Sequence, residues 1–178
     1  MPRYAALLRG INLGSTNRVS MPDLRSALAE AGFDDVATYV QSGNIVLSGS
    51  GSTDEVARSV ERVVSARFGL DVPVVVRTAR QIAAVVDLNP LRDVAADLKR
   101  YQVSFLADKP PRGLLGKLEE VAAPEERVAV HGREIYAWHP AGVARSKLWA
   151  LLAGKQLGVT ATARNWITVT KLRELLDG

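Results

Sequence analysis

Asparagine, glycine and arginine are concentrated in three polar segments that interrupt the apolar runs of this chain. The segments are residues 9–17 (RGINLGSTN), 41–44 (QSGN) and 162–166 (TARNW). Each lies between predicted regular elements, where side chains and free backbone N–H groups can face a ligand. None carries the Gly-Lys-Ser/Thr of a phosphate-binding loop or a dinucleotide fingerprint. The segments therefore predict where a ligand binds, but they identify no reaction.

Side chains in and near these segments are suited to holding an anion. The guanidinium of Arg164 can donate two parallel hydrogen bonds to a phosphate or carboxylate, and the indole of Trp166 can stack on a base or ring. Lys147 opens a predicted helix, where a cation opposes the helix dipole unless an anion lies nearby. The candidate ligand-binding residues are Arg9, Asn12, Asn17, Asn44, Lys147, Arg164, Asn165 and Trp166.

Most of these candidates also have a structural interpretation. Asn12 and Asn17 can satisfy loop backbone groups beside glycines that adopt positive φ. Asn165 is typical of a helix N-cap, and Trp166 is typical of a core anchor. Arg164 can pair with an acid such as Glu174. The ligand-binding and the structural interpretations of these residues both stay open at this point.

Catalytic and metal-binding signatures are missing from the sequence. The chain has no Cys, which excludes disulfides, thiolate metal sites and a Cys nucleophile. Its two histidines, His131 and His139, lack ligand spacing, so no metal site and no cofactor are expected. Ser146 and Lys147 are adjacent on a predicted helix and do not face one another, which argues against a Ser-Lys catalytic dyad.

Net charge and composition bear on partners and location. Lys plus Arg number 23 against 19 Asp plus Glu, which gives a net charge of +4 and a pI near 9.6. The strongest local excess of cations lies between residues 133 and 171, so an anionic small molecule or nucleic acid is a candidate partner. No apolar run approaches the ~20 residues of a membrane span, and the apolar stretch before Arg9 is too short for a signal peptide. We expect a cytoplasmic protein without membrane contact, and the composition leaves the oligomeric state undetermined.

The first half of the chain predicts strand, helix, strand, strand, helix, strand and a further helix. The strands are expected at 4–8, 36–40, 45–47 and 72–77. Ser20 caps the first helix and Gly32 ends it; Thr53 or Asp54 caps the second, which Gly69 ends. The further helix covers residues 78–88. Ser42-Gly43 predicts a two-residue hairpin turn. We expect that turn at the opposite end of the sheet from the loop at 9–17. The first two polar segments are therefore not expected to meet within one unit, unless the hairpin is bent or the other half or another chain bridges them.

The second half repeats this order of elements. Strands are expected at 101–106, 127–130, 134–138 and 159–163, and helices at 112–121, 146–157 and 166–176. The tripeptides Thr78-Ala79-Arg80 and Thr162-Ala163-Arg164 both stand at the predicted passage from last strand to last helix. The sequence thus predicts an α+β fold of duplicated ferredoxin-like βαββαβ units, each followed by an extra helix. The halves are residues 1–92 and 98–178.

Several motifs in order resemble a known family over nearly the whole chain. They are LLRGIN at 7–12, N-x-V-S-M-x-D-L-R at 17–25, GF-x-D-V-x-T-Y-x-Q-SGN at 32–44, Ser146-Lys147, and T-x-RNW-x-T-V-x-K-L at 162–172. They resemble the domain-of-unknown-function 1697 family of uncharacterised bacterial proteins. The resemblance implies an α+β fold of duplicated ferredoxin-like units, and it implies no established activity.

The residues favour a module that binds a phosphate-bearing or otherwise anionic ligand, or nucleic acid. One alternative is an enzyme acting on a small anionic metabolite, with Asn, Arg and Lys as electrostatic stabilisers. Another is a structural or interaction protein. Phe105, Tyr136 and Trp138 lie on strands, as the aromatic residues of RNA-binding sheets do. Tyr136 and Trp138 alternate with Ile135 and Ala137, so one face of that strand must lie in the core. Because no base, metal site or nucleophile is identifiable, binding is favoured over catalysis.

Overall fold

Two sets of βαββαβ elements, each followed by one further helix, make up the computed structural model, which describes residues 1–178. This confirms the predicted duplicated ferredoxin-like fold. The chain forms two compact units, Met1–Ala84 with Lys171–Gly178, and Val85–Thr170. Each predicted half contains one complete set of strands, and the position of the boundary between the halves stays a prediction.

The first unit contains a four-stranded antiparallel sheet in the order β2-β3-β1-β4. Its elements in chain order are β1 (Arg3–Leu8), α1 (Met21–Glu30), β2 (Asp34–Tyr39), β3 (Asn44–Ser48), α2 (Thr53–Phe68), β4 (Val74–Thr78) and the start of α3 (Ala79–Leu88), as far as Ala84. Alternate residues of the central strand β1, among them Tyr4, Ala6 and Leu8, pack in the main core of this unit.

Local capping explains where the first two helices begin and end. The Ser20 hydroxyl accepts a hydrogen bond from the Asp23 N–H, so Ser20 is the predicted N-cap of α1. The N-cap of α2 is Ser52, one residue before the prediction, because its hydroxyl and the Glu55 side chain form a reciprocal capping box. Gly69 ends α2 in a left-handed conformation, as predicted.

The β1–α1 loop and the β2–β3 turn lie at the same end of the first sheet, so the prediction that they lie at opposite ends is wrong. β3 pairs antiparallel with both β1 and β2, which makes β1 and β2 parallel. The end of β1 therefore lies beside the start of β3. The Leu8 N–H donates to the Gly43 carbonyl at 2.9 Å, and the Asn12 side-chain amide donates to the Gln41 carbonyl at 2.7 Å.

The β2–β3 turn is also longer than predicted. Tyr39 pairs with Asn44, so the loop contains residues 40–43 rather than two residues. Val40 and Gly43 both adopt positive φ, at 50° and 86°. A side chain at Gly43 would place its Cβ 2.7 Å from the Cβ of Leu8, so this position requires glycine for space as well as for φ.

The second unit repeats the sheet, in the order β6-β7-β5-β8. Its elements are β5 (Tyr101–Leu106), α4 (Leu114–Val121), β6 (Arg127–His131), β7 (Glu134–Trp138), α5 (Lys147–Ala153), β8 (Ala161–Asn165) and the start of α6 (Trp166–Asp177), as far as Thr170. The core of this unit includes Leu106 and Ile135 of the sheet, Leu118 of α4 and Leu148 of α5.

Two predictions for the second half are corrected. The predicted helix over 146–157 ends at Ala153, because Gly154 is extended and a short 3-10 turn, Lys155–Leu157, follows it. β8 runs to Asn165, where Asn165 pairs with Gln102, so the tripeptide at 162–164 lies inside the strand. The two tripeptides are therefore not equivalent.

None of the helices is long and apolar enough to cross a membrane.

Candidate functional site

A cavity of about 790 Å³ opens in the second unit between the end of α4 and the loop that joins β7 to α5. Its volume lies within the range typical of sites for small molecules. One side of the lining comes from residues 120–126, and the other comes from residues 141–147. The ionisable lining residues are Glu120, Glu125, Glu126, Arg145 and Lys147.

A buried polar network includes Glu126 and Ser146, two residues that line this cavity. Glu126 precedes β6 and His139 follows β7, and the pairing of Arg127 with Trp138 brings the two side chains together. His139 Nδ1 lies 2.6 Å from Glu126 Oε2, and the Ser146 hydroxyl donates to the same oxygen at 2.6 Å. The Ala123 N–H donates to Glu126 Oε1 at 2.9 Å. Glu126 thus joins α4, the β6–β7 hairpin and α5.

The protonation of this network follows from its contacts. Burial acts to raise the pKa of Glu126, but hydrogen bonds from Ser146, Ala123 and His139 outweigh it, so the pKa is lowered from its ordinary value. An ionised carboxylate only accepts hydrogen bonds, so Nδ1 of His139 carries a proton and donates. His139 is fully buried, and its other ring nitrogen, Nε2, has no hydrogen-bond partner.

Ser146, His139 and Glu126 have the residue types of a hydrolase triad but not its geometry. In a triad the hydroxyl contacts one ring nitrogen and the carboxylate contacts the other. Here the Ser146 hydroxyl lies 3.3 Å from Nδ1, the nitrogen that already donates to Glu126. The Ser146 oxygen also accepts from the Trp149 N–H as the N-cap of α5. The arrangement anchors the cavity wall and does not activate a nucleophile.

Two cations on the β7–α5 side are free to contact a ligand. The side chains of Arg145 and Lys147 are exposed and line the cavity, and they make no hydrogen bond or ion pair within the structure. Between them, Ser146 is held by Glu126 and Trp149. Because these two hydrogen bonds hold the Ser146 side chain, the neighbouring cationic residues start from a defined position at the cavity wall.

Of the eight predicted ligand-binding residues, Lys147 lines this cavity and Asn12 lines another in the first unit. That second cavity has a volume of about 500 Å³, and its other lining includes Arg18, Ser20 and Gln41. Asn12 itself is committed to the loop: its oxygen accepts from the Val19 N–H, and its amide donates to the Val19 and Gln41 carbonyls. Arg18 donates to the Gly14 carbonyl at 2.8 Å.

The remaining predicted residues of the first unit hold its loops. The Asn17 amide donates to the Gly10 carbonyl at 3.0 Å. Asn44 is fully buried, and its amide donates to the Tyr39 carbonyl and the Ser42 hydroxyl. Arg9 is half-buried at the end of β1, where its backbone N–H donates to the Pro73 carbonyl. A ligand-binding role for these residues stays a prediction.

The predicted residues around β8 are built into the second unit. Arg164 donates to the Thr162 hydroxyl and the Ala163 carbonyl, and burial lowers its pKa to about 10. The Asn165 side chain caps α6 by accepting from the Thr168 N–H. Trp166 is buried and stacks on Tyr101 with ring centroids 4.6 Å apart. These contacts match the structural interpretations of Asn165 and Trp166.

The strand aromatics do not form an exposed stacking surface. Phe105, Tyr136 and Trp138 are 0%, 1% and 8% exposed, respectively. Base stacking of the kind used by RNA-binding sheets requires exposed ring faces. These three residues therefore give no support to RNA recognition on the second sheet.

Sequence reasoning missed Glu126 and Arg145 as cavity-lining residues, and it missed His139 as the buried partner of Glu126. The signal was the turn in the β6–β7 hairpin. A two-residue turn at Gly132-Arg133 sets the pairing of His131 with Glu134, and the same register places position 126 opposite position 139. The strands predicted at 127–130 and 134–138 leave a three-residue turn between them. That turn shifts the register by one residue, so positions 126 and 139 are no longer opposite each other.

The fold is that of a duplicated ferredoxin-like protein, and its second unit contains a cavity of ligand size. A family model described as "Protein of unknown function (DUF1697)" matches residues 1–136, and the chain belongs to this family. The match includes Glu126 but ends before His139 and Ser146.

Similarity to a solved structure extends over the whole fold. The chain is similar to a conserved bacterial protein from Streptococcus pneumoniae, at 23% identity and a TM-score of 0.80, with 98% of each chain covered. At this identity the likeness shows a shared fold alone. No curated protein matches the sequence.

Proposed function

We propose that this chain binds a small molecule through an anionic group, and that the group lies against Arg145 and Lys147 in the cavity of the second unit. The observation that carries this proposal is a ligand-sized cavity with two unpaired cations on one wall. Phosphate and carboxylate groups accept hydrogen bonds from such side chains. The fixed position of Ser146 between the two cations favours binding over non-specific attraction.

A small ligand fits this cavity better than nucleic acid does. Nucleic-acid binding requires a surface that neutralises many phosphates, and affinity comes from clustered Lys and Arg. The cavity lining instead includes three carboxylates beside its two cations. The excess of acids around Arg145 and Lys147 repels a polyanion, whereas a small molecule can place a single anionic group between the two cations.

Nuclear magnetic resonance titration with inorganic phosphate at low ionic strength tests the proposal. We expect amide shifts confined to residues 120–126 and 141–147. The double variant Arg145→Gln/Lys147→Gln should weaken binding by about tenfold, because exposed charge pairs contribute about 0.2–1 kcal/mol each. Lys155→Gln is a matched control, since Lys155 is also exposed and lies outside the cavity lining.

Other patterns of shifts would contradict the proposal. Shifts that cluster at residues 12–22 would assign the anion to the cavity of the first unit, where Asn12 was predicted to act. An absence of shifts with phosphate, acetate and sulfate alike would remove the proposed binding function. Equal weakening by Lys155→Gln and the double variant would show general charge attraction instead of a site.

A further inference from the structure

The cavity carries free charges of both signs, supplied by separate segments of the second unit. Glu120 at the end of α4 and Glu125 in the loop after it are exposed lining residues. Arg145 comes from the β7–α5 loop, and Lys147 is the first residue of α5. None of these four side chains makes an ion pair or hydrogen bond with any residue. Two carboxylates and two cations thus line one cavity without neutralising each other.

This arrangement selects the charge pattern of the ligand. A simple anion near Arg145 and Lys147 would gain from two cations but would be repelled by Glu120 and Glu125. A ligand with a cationic group as well gains on both sides, because complementary charges attract and like charges oppose binding. The third carboxylate, Glu126, is occupied by Ser146, Ala123 and His139, so it does not compete for the ligand.

We infer that the cavity takes a zwitterionic small molecule. Its anionic group lies against Arg145 and Lys147, and its ammonium or other cationic group lies against Glu120 and Glu125. This inference rests on the proposed function and specifies the class of ligand for the same site. It also accounts for the presence of acids in a site whose cations attract an anion.

Matched probes separate the two claims. Phosphoethanolamine and ethyl phosphate differ in the ammonium group, and β-alanine and propionate form the same comparison for carboxylates. Calorimetry or NMR titration should show the zwitterion of at least one pair binding about five- to twentyfold tighter than its anionic partner. In Glu120→Gln/Glu125→Gln this preference should disappear, while binding of the simple anion is unchanged or stronger. Glu119→Gln is the matched control, because Glu119 is exposed on α4 but lies outside the cavity lining.

The outcomes distinguish failure of the inference from failure of the proposed function. If the anions and zwitterions bind equally, or the anions bind more tightly, the zwitterion inference is wrong and the anion site stands. A preference that persists in Glu120→Gln/Glu125→Gln also overturns the inference, because the carboxylates would then not recognise the ligand. If all four probes fail to bind, both the inference and the proposed function are wrong.

Discussion

The two units share a topology but differ at the connection between their third strand and second helix. In the first unit, residues 49–52 join β3 to α2; in the second, residues 139–146 join β7 to α5. Both connections end in a serine that caps the helix, Ser52 or Ser146. The longer connection lines the 790 Å³ cavity. Loop length on a repeated scaffold, rather than the scaffold itself, creates the candidate site.

The residues beneath these connections differ in the same way. Register with the central strands makes Phe33 and Gly49 of the first unit equivalent to Glu126 and His139 of the second. A Cβ at Gly49 would lie 3.0 Å from the Phe33 ring, so the first junction is close-packed and apolar. The second is a hydrogen-bonded polar network. Equivalent positions therefore form an apolar contact in one unit and a buried polar pair in the other.

A buried arginine on the last strand is common to both units. Arg77 pairs with Ala5 on β1, and Arg164 pairs with Val103 on β5, at equivalent positions. Each guanidinium donates to the carbonyl of the preceding residue, Val76 or Ala163. Because this feature recurs in both units, the buried position of Arg164 is a property of the repeated fold.

The two units are expected to differ most in the stability that is lost when the glycine of their hairpin turns is replaced. Gly43→Ala should lower the free energy of unfolding by about 2–5 kcal/mol, because left-handed strain adds about 1–2 kcal/mol and overpacking against Leu8 adds about 1–3 kcal/mol. Gly132→Ala should lower it by about 1–2 kcal/mol, since a Cβ there meets nothing within 4 Å. Urea denaturation measures both. Equal losses of unfolding free energy in the two variants would show that the close contact of Gly43 with β1 does not affect stability.

The acid dependence of stability tests the polar network. Glu126→Gln should lower the free energy of unfolding by about 1–3 kcal/mol at pH 7, because buried donors lose a carboxylate acceptor. The folded state lowers the Glu126 pKa, so its ionisation stabilises the protein above the ordinary pKa of 4.5, and this contribution is lost as the pH falls below that value. The difference in unfolding free energy between the wild type and the variant should therefore become smaller in acid. A difference that is constant from pH 7 to pH 3 would contradict the assignment.

The smallest expected difference between the units is in the stability that is lost when their equivalent helix caps are removed. Ser52→Ala should cost about 1 kcal/mol, the usual effect of losing an N-cap. Ser146→Ala should cost about 2 kcal/mol, because its hydroxyl also donates to Glu126. Thermal or urea unfolding of the two single variants gives the comparison. Equal losses of unfolding free energy would indicate that the hydrogen bond between Ser146 and Glu126 contributes nothing to stability.

Elements specified by local interactions were predictable from the sequence. The cap of α1 at Ser20 and the end of α2 at Gly69 depend on contacts within a few residues, and both predictions are confirmed. The order of strands and helices followed from apolar periodicity, which also led to the ferredoxin-like fold. Lys147 was recognised from its place at a helix start, although its binding role stays a prediction.

Long-range features were decided by the tertiary structure. Whether the loop at 9–17 meets the turn at 40–43 depends on which strands are parallel, and whether Glu126 meets His139 depends on a hairpin register that a one-residue shift changes. The sequence by itself determined the elements, their order and the duplication, because capping and periodicity are local. Only the folded chain brought residues 120–126 and 141–147 around one cavity, because strand pairing brings together positions that are far apart in sequence.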